Sequence, residues 1–302
     1  MARARFFLRE AFGRLLGPDL MAYILHLRPL EWPIMTAHFL LGTLLALGWP
    51  RSWRPILIGW LVFVALLNGG TLAINSAFDQ DEGDIGYLKA PPKPPRHLLA
   101  FSIVLLVLSL GLSLLLPAAF ILINLACVLM SVLYSVPPIR LKARAGWDLI
   151  INCIGFGLLT PLAGWAVTGR PFQPPIIAAG IGFAFLFATL YPMTQIYQVA
   201  EDAQRGDQTL VIRVGVGTSL VLALGTMLLA HLWFAWGILL LHRNPLPILG
   251  SLVAWLLVLV PWLRRWRLWT DAQHEAGMYR GLVAWAVTDL SLLALLWPRM
   301  SP

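Results

Sequence analysis

Uncharged apolar stretches long enough to cross a bilayer make up most of this chain, and short polar breaks separate them. No charged side chain falls within 32–50, 55–78, 98–133, 149–169, 171–200, 214–242 or 244–263, and 281–298 holds only Asp289. A helix of about 20 apolar residues spans a bilayer core. The run 98–133 is too long for one crossing, and Pro117 near its middle divides it into two helices joined by a tight turn. The pattern predicts an all-α polytopic membrane protein with nine crossings, roughly 21–48, 54–78, 97–116, 118–136, 147–168, 174–199, 215–241, 245–263 and 277–297.

Composition agrees, since only 12% of residues are charged and 59% are hydrophobic, against about 25% charged in soluble proteins. The net charge of +8 raises the question of nucleic acid, and the placement of that charge answers it. With the N-terminus in the cytoplasm, the 22 basic residues divide 17 to 5 in favour of the cytoplasmic loops, the positive-inside pattern. The basic residues therefore set orientation and meet anionic lipid headgroups rather than nucleic acid. Residues 1–20 carry four arginines and no apolar core of a signal peptide. They are expected to lie on the cytoplasmic surface, with 21–302 forming a single nine-helix domain. Cys127 and Cys153 both fall inside expected spans, which speaks against a disulfide.

Two short acidic segments interrupt this apolar pattern. Asn75–Asp84 and Gln198–Asp207 together hold Asp79, Asp81, Glu82, Asp84, Glu201, Asp202 and Asp207, seven of the fourteen carboxylates. Crowded carboxylates repel unless a cation neutralises them, and oxygen-only ligands suit Mg²⁺. With nine helices the even-numbered ones end on the cytoplasmic side, so the segments after helices 2 and 6 share one face. The loop 134–144, with Arg140, Lys142 and Arg144, lies on that face too. Acid, base and acid on three loops suit a metal-bridged diphosphate whose remaining charge meets Lys or Arg. Asn75 and Asp79 are four apart, as are Gln198 and Asp202, so each pair shares a helix face wherever the helix persists.

Those residues resemble the UbiA-type family of intramembrane prenyltransferases, over nearly the whole chain. Asn75 and Asp79 match the first Asp-rich pattern, with Ser76 in place of an Asp and Gly83, flanked by Glu82 and Asp84, at the next acidic position. Asp202, Gly206 and Thr209 match the second, with Gln198 where its first Asp is expected. Tyr134-Ser135, Pro137-Pro138, Arg140-Leu141-Lys142, Gly146 and 161–164 are further matches. The resemblance implies a nine-helix bundle and ionisation of an allylic diphosphate at a Mg²⁺ site. Asp79 and Asp202 would be its catalytic ligands, joined by Asn75, Asp81, Glu82 and Asp84. Lys89, Arg140, Lys142, Arg144 and Arg205 would bind the diphosphate, with Gln198, Glu201, Asp207, Tyr134 and Tyr197 in secondary places.

The expected partners are an isoprenyl diphosphate donor, a lipophilic acceptor and membrane lipid, in a bacterial inner membrane with the active-site loops cytoplasmic. An aromatic, quinone-precursor acceptor is the first expectation. A tetrapyrrole, carotenoid or glycerol-lipid acceptor is the alternative, and a non-catalytic prenyl-lipid binder or transporter is the reading from another class. His38 is read as a structural hydrogen-bonding residue. Asp289 is read either as an acceptor contact or as a group near the outer end with access to water.

Overall fold

The structure, a computed structural model, describes residues 17–79, 91–204 and 206–300. Among these it is helical, with no strand. We number the helices α1 (Pro18–His26), α2 (Trp32–Leu47), α3 (Arg54–Asp79), α4 (Leu98–Ser113), α5 (Ala118–Ser135), α6 (Trp147–Ala166) and α7 (Pro174–Ile196). The short α8 (Val199–Gln204) and α9 (Leu210–Val214) precede α10 (Val216–Leu240), α11 (Ile248–Leu268) and α12 (Asp271–Met300). Among the described residues seven helices are long and apolar enough to cross a membrane, and α2 and α4, of 16 residues each, are shorter apolar helices. Together they occupy the nine places where crossings are expected.

The first expected crossing is not continuous. Hydropathy predicts one helix over 21–48, whereas the chain breaks between His26 and Trp32. Pro29 cannot continue a hydrogen-bond ladder and disfavours helical backbone before it. Arg28 accordingly turns to φ 48°. The Trp32 indole donates to the Leu27 carbonyl at 3.1 Å, which occupies one acceptor freed by the break. The sixth expected crossing, 174–199, stops at Ile196 and resumes after a turn as α8.

Small residues set the helix spacing. A Cβ on Gly42 of α2 would collide with the Pro161 carbonyl of α6, and one on Gly164 with the Phe39 carbonyl. The two backbones therefore touch, and the Thr43 hydroxyl donates across to Gly164 O at 2.7 Å. Close approach through small residues replaces the hydrophobic drive that helices lose in lipid.

Two stretches, Leu61–Asn68 in α3 and Cys153–Leu159 in α6, are wound with i to i+5 bonds rather than i to i+4. Pro161 explains the second in part, because it has no N–H to offer the preceding turn. The Thr160 hydroxyl instead reaches Gly155 O at 3.2 Å. Both widened stretches border the internal cavity.

Candidate active site

A cavity of about 340 Å³ opens between α2, α3, α5, α6, α7 and α12. Its mouth is where the ends of α3, the loop after α5 and the segment after α7 meet. Asn75, Asp79, Lys142, Gln198, Asp202 and Asp207 all line it, so the convergence expected from helix parity is realised. Asn75 and Asp79 stand on the last turn of α3, one face of one helix. Gln198 and Asp202 also pair as expected, although through α8: the Asp202 N–H donates to Gln198 O at 2.9 Å.

The charges at the mouth are interlocked. The Lys142 ammonium, on a single 3-10 turn (Leu141–Ala143), donates to Asn75 Oδ1 at 2.6 Å and is paired with Asp79 Oδ1. The Arg140 guanidinium forks between the two acidic segments, 2.8 Å from Asp207 Oδ1 and 3.3 Å from Asp79 Oδ1. Lys142 and Asp207 are each only 9% exposed. Charges this far from water need near-complete pairing.

Asp148, which the sequence analysis leaves aside, holds the loops in register. It is fully buried at the start of α6, and its Oδ1 accepts the Gly146 N–H at 2.8 Å. Its Oδ2 accepts the Gln195 side-chain amide at 2.8 Å and the Leu210 N–H at 3.4 Å. One carboxylate thus ties the Arg140–Lys142 loop to the segment bearing Asp202 and Asp207. A backbone bridge between Arg144 and Gln208 runs beside it.

Deeper in, the wall is aromatic and sparsely polar. The Tyr134 and Tyr191 hydroxyls meet at 3.0 Å. His38 accepts the Trp285 indole N–H at 2.8 Å, in keeping with a structural role. Asp289 has little access to water: it is 7% exposed, and its Oδ1 lies 3.3 Å from His38 Nε2. The break between α1 and α2 turns Arg28 and Glu31 onto the cavity wall, 3.5 Å apart. Burial pushes the Glu31 carboxyl up, and Arg28 opposes that shift. Arg28 Nε and Nη2 have no hydrogen-bond partner among the described residues, and neither has the Asn68 amide.

Tyr134 and Tyr197 line the cavity, whereas Arg140, Arg144 and Glu201 do not, Arg140 being tied to the lining through Asp79 and Asp207. Asp81, Glu82, Asp84, Lys89 and Arg205 lie outside the described residues, as does most of the expected 1–20 segment. Among the described residues no three His, Cys, Asp or Glu side chains cluster as a metal site. What the described mouth offers a cation is three carboxylates, Asp79, Asp202 and the Arg140-paired Asp207, with two amide oxygens, from Asn75 and Gln198. Asn75 Oδ1 and Asp79 Oδ1 already converge on one cation, the Lys142 ammonium. All-oxygen donors of this kind suit Mg²⁺, which binds through one or two carboxylates together with phosphate oxygens and water.

Comparison with known proteins bears on this geometry. The UbiA prenyltransferase family model matches residues 35–286. The 1,4-dihydroxy-2-naphthoate octaprenyltransferase of Escherichia coli (strain K12) is 25% identical over 263 residues, covering 74% of this chain and 82% of that protein. Among solved structures, a UbiA homolog from Archaeoglobus fulgidus bound to DMAPP and Mg2+ superposes with a TM-score of 0.69 at 22% identity, covering 88% of this chain and 98% of that one. A digeranylgeranylglyceryl phosphate synthase superposes with a TM-score of 0.69 at 18% identity, covering 93% and 99%. Identities this low in the two structures speak for the fold alone.

Proposed function

The chain belongs to the UbiA prenyltransferase family, and on that premise we propose that it moves a polyprenyl group from an isoprenyl diphosphate to an aromatic acceptor of the quinone-precursor class. The site faces the cytoplasm of a bacterial inner membrane. Residues 21–302 form one transferase domain.

The observation that carries this reading is the constellation of Asn75, Asp79, Lys142, Arg140 and Asp207 at the mouth of an apolar cavity. A diphosphate brings several negative charges to one end of a long apolar chain, and this cavity gathers Asp79, Lys142, Asp202 and Asp207 at its mouth, with Arg28 and Glu31 as a further pair on its lining. Asn75, Asp79, Asp202 and Gln198 are the residues that would hold Mg²⁺. When bound, the metal neutralises the leaving diphosphate and so lowers the cost of breaking the allylic C–O bond. Lys142 and Arg140 supply preorganised positive charge for the outer diphosphate oxygens, which costs no reorganisation as the bond lengthens. Below them, Tyr134, Tyr191, Phe156 and Phe187 line the wall. Their faces stabilise an allylic cation by about 0.5–2 kcal/mol per contact and keep water from capturing it.

An acceptor with an acidic group is favoured by Arg28, whose Nε and Nη2 are unmatched on the cavity wall. The E. coli relative is named for such an acceptor, a dihydroxynaphthoate.

The test is product formation from geranylgeranyl diphosphate by the purified protein with Mg²⁺, against 1,4-dihydroxy-2-naphthoate, 4-hydroxybenzoate, a chlorin acid and glycerol 1-phosphate. A prenylated aromatic product is expected. A product from the chlorin or the glycerol phosphate instead would overturn the acceptor class, and no product from any of them would count against turnover.

A further inference from the structure

Asn68 ends the widened stretch Leu61–Asn68 of α3 and shares a face with Thr71, Asn75 and Asp79, all of which line the cavity. Helical rise places it about 10 Å deeper than Asn75, two turns below the charged mouth. It is 3% exposed, and neither Oδ1 nor Nδ2 has a hydrogen-bond partner among the described residues. Two polar side chains that share the cavity wall with it, Thr71 and Ser131, are engaged. The Thr71 hydroxyl donates to Leu67 O at 2.8 Å and meets Ser131 Oγ. Ser131 donates to Cys127 O, also at 2.8 Å. A buried amide with both ends unmet costs stability, which a leucine of similar size in an apolar wall would not. The widened winding is a second pointer. Such turns recur at functional sites, where they redirect a side chain out of its regular row.

We infer that Asn68 binds the aromatic acceptor by a ring hydroxyl. A carboxamide offers an acceptor and a donor together, and its complement is a group that also does both. A phenolic hydroxyl does, whereas a carboxylate has no donor and a bare ring has neither. Oδ1 accepts a hydrogen bond from the ring hydroxyl, and Nδ2 donates to the hydroxyl oxygen or to a neighbouring oxygen substituent on the ring. Accepting that proton in a hydrogen bond leaves more electron density on the ring, the property an attacking aromatic needs. It also fixes which ring carbon faces the first carbon of the donor. This assignment rests on the prenyl-transfer reading above and adds the feature of the acceptor that the cavity reads.

The experiment is calorimetric titration of wild type and Asn68→Leu with 4-hydroxy-2-naphthoate and with 2-naphthoate. Wild type should prefer the hydroxylated probe by about tenfold, the ratio one hydrogen bond confers, and Asn68→Leu should bind the two alike. The melting temperature of Asn68→Leu without ligand should equal or exceed that of wild type, the reverse of what a purely structural asparagine would give. Should Asn68→Leu fail to fold, Asn68→Ser takes its place, with the preference expected to fall to threefold or less. A preference that survives substitution overturns the assignment, as does its absence in wild type. Mg²⁺-dependent binding of geranylgeranyl diphosphate is the separate arm. It should be unchanged in the Asn68 variant and lost in Asp79→Ala. If wild type shows no such binding, the prenyl-transfer reading fails whatever the naphthoate probes do.

Discussion

The charges at the mouth of the cavity and the Asn68 amide two turns below them are held in opposite ways. At the mouth, Lys142 is shared between Asn75 and Asp79, Arg140 between Asp79 and Asp207, and Asp148 spends both oxygens on the surrounding loops. On the wall, the Asn68 amide is buried without a hydrogen-bond partner among the described residues. The difference teaches where the protein is complete and where it waits. Charges at the mouth hold one another in position for a highly charged ligand, so their geometry is built by folding. The Asn68 amide has no such partner among the described residues, and that opening is what the proposed acceptor contact rests on.

The comparison is broken most strongly at Asp79. Asp79→Ala removes a metal ligand and strips Lys142 and Arg140 of a shared partner, so turnover should fall about 100- to 1,000-fold. Product formation at saturating Mg²⁺ measures this, with the fold checked by the melting curve. Chelating Mg²⁺ with EDTA should remove turnover to a similar extent, and added Mg²⁺ should restore it without refolding.

Lys142→Met should come next, with about a 100-fold loss in kcat/KM, read from initial rates at varied donor concentration. Asp148→Ala sharpens the comparison differently, because Asp148 orders the mouth without touching substrate. Leaving two partly buried backbone N–H groups and the Gln195 amide without this acceptor should cost about 1–3 kcal/mol of stability. Thermal or denaturant unfolding reads that loss, and Asp148→Asn should recover part of it. The smallest effect belongs to Arg144→Ala, which should change turnover less than about twofold. Its observed link to the site is a backbone bridge to Gln208, which alanine keeps.

Much of the mouth was legible because its residues obey two simple rules. Asn75 and Asp79 are one helical turn apart at the end of a span, and parity of crossings sends that end to the same face as Gln198 and Asp202. The nine places for crossings follow from length and hydropathy for the same reason. The wall was not legible. Asn68 carries no charge and sits in the uncharged run 55–78, so it leaves no mark on a hydropathy profile. The widening of the helix that ends on it depends on packing against neighbours distant in sequence. The break at Arg28 was written in Pro29 and Pro33, but the apolar residues around them read as one continuous span. Asp148 stands at the start of the fifth expected crossing with nothing in its sequence neighbours to single it out, and only the approach of Gln195 and Leu210, 47 and 62 positions away, makes it a latch.

The central claim is that the interlocked mouth binds and ionises an isoprenyl diphosphate. The most direct test is diphosphate release from radiolabelled geranylgeranyl diphosphate by the purified protein, with 1,4-dihydroxy-2-naphthoate present, with and without Mg²⁺, in wild type and Asp79→Ala. The account predicts release by wild type only when Mg²⁺ is present, and none above background by the variant. Release that ignores Mg²⁺, or that survives in Asp79→Ala at the wild-type rate, would contradict it.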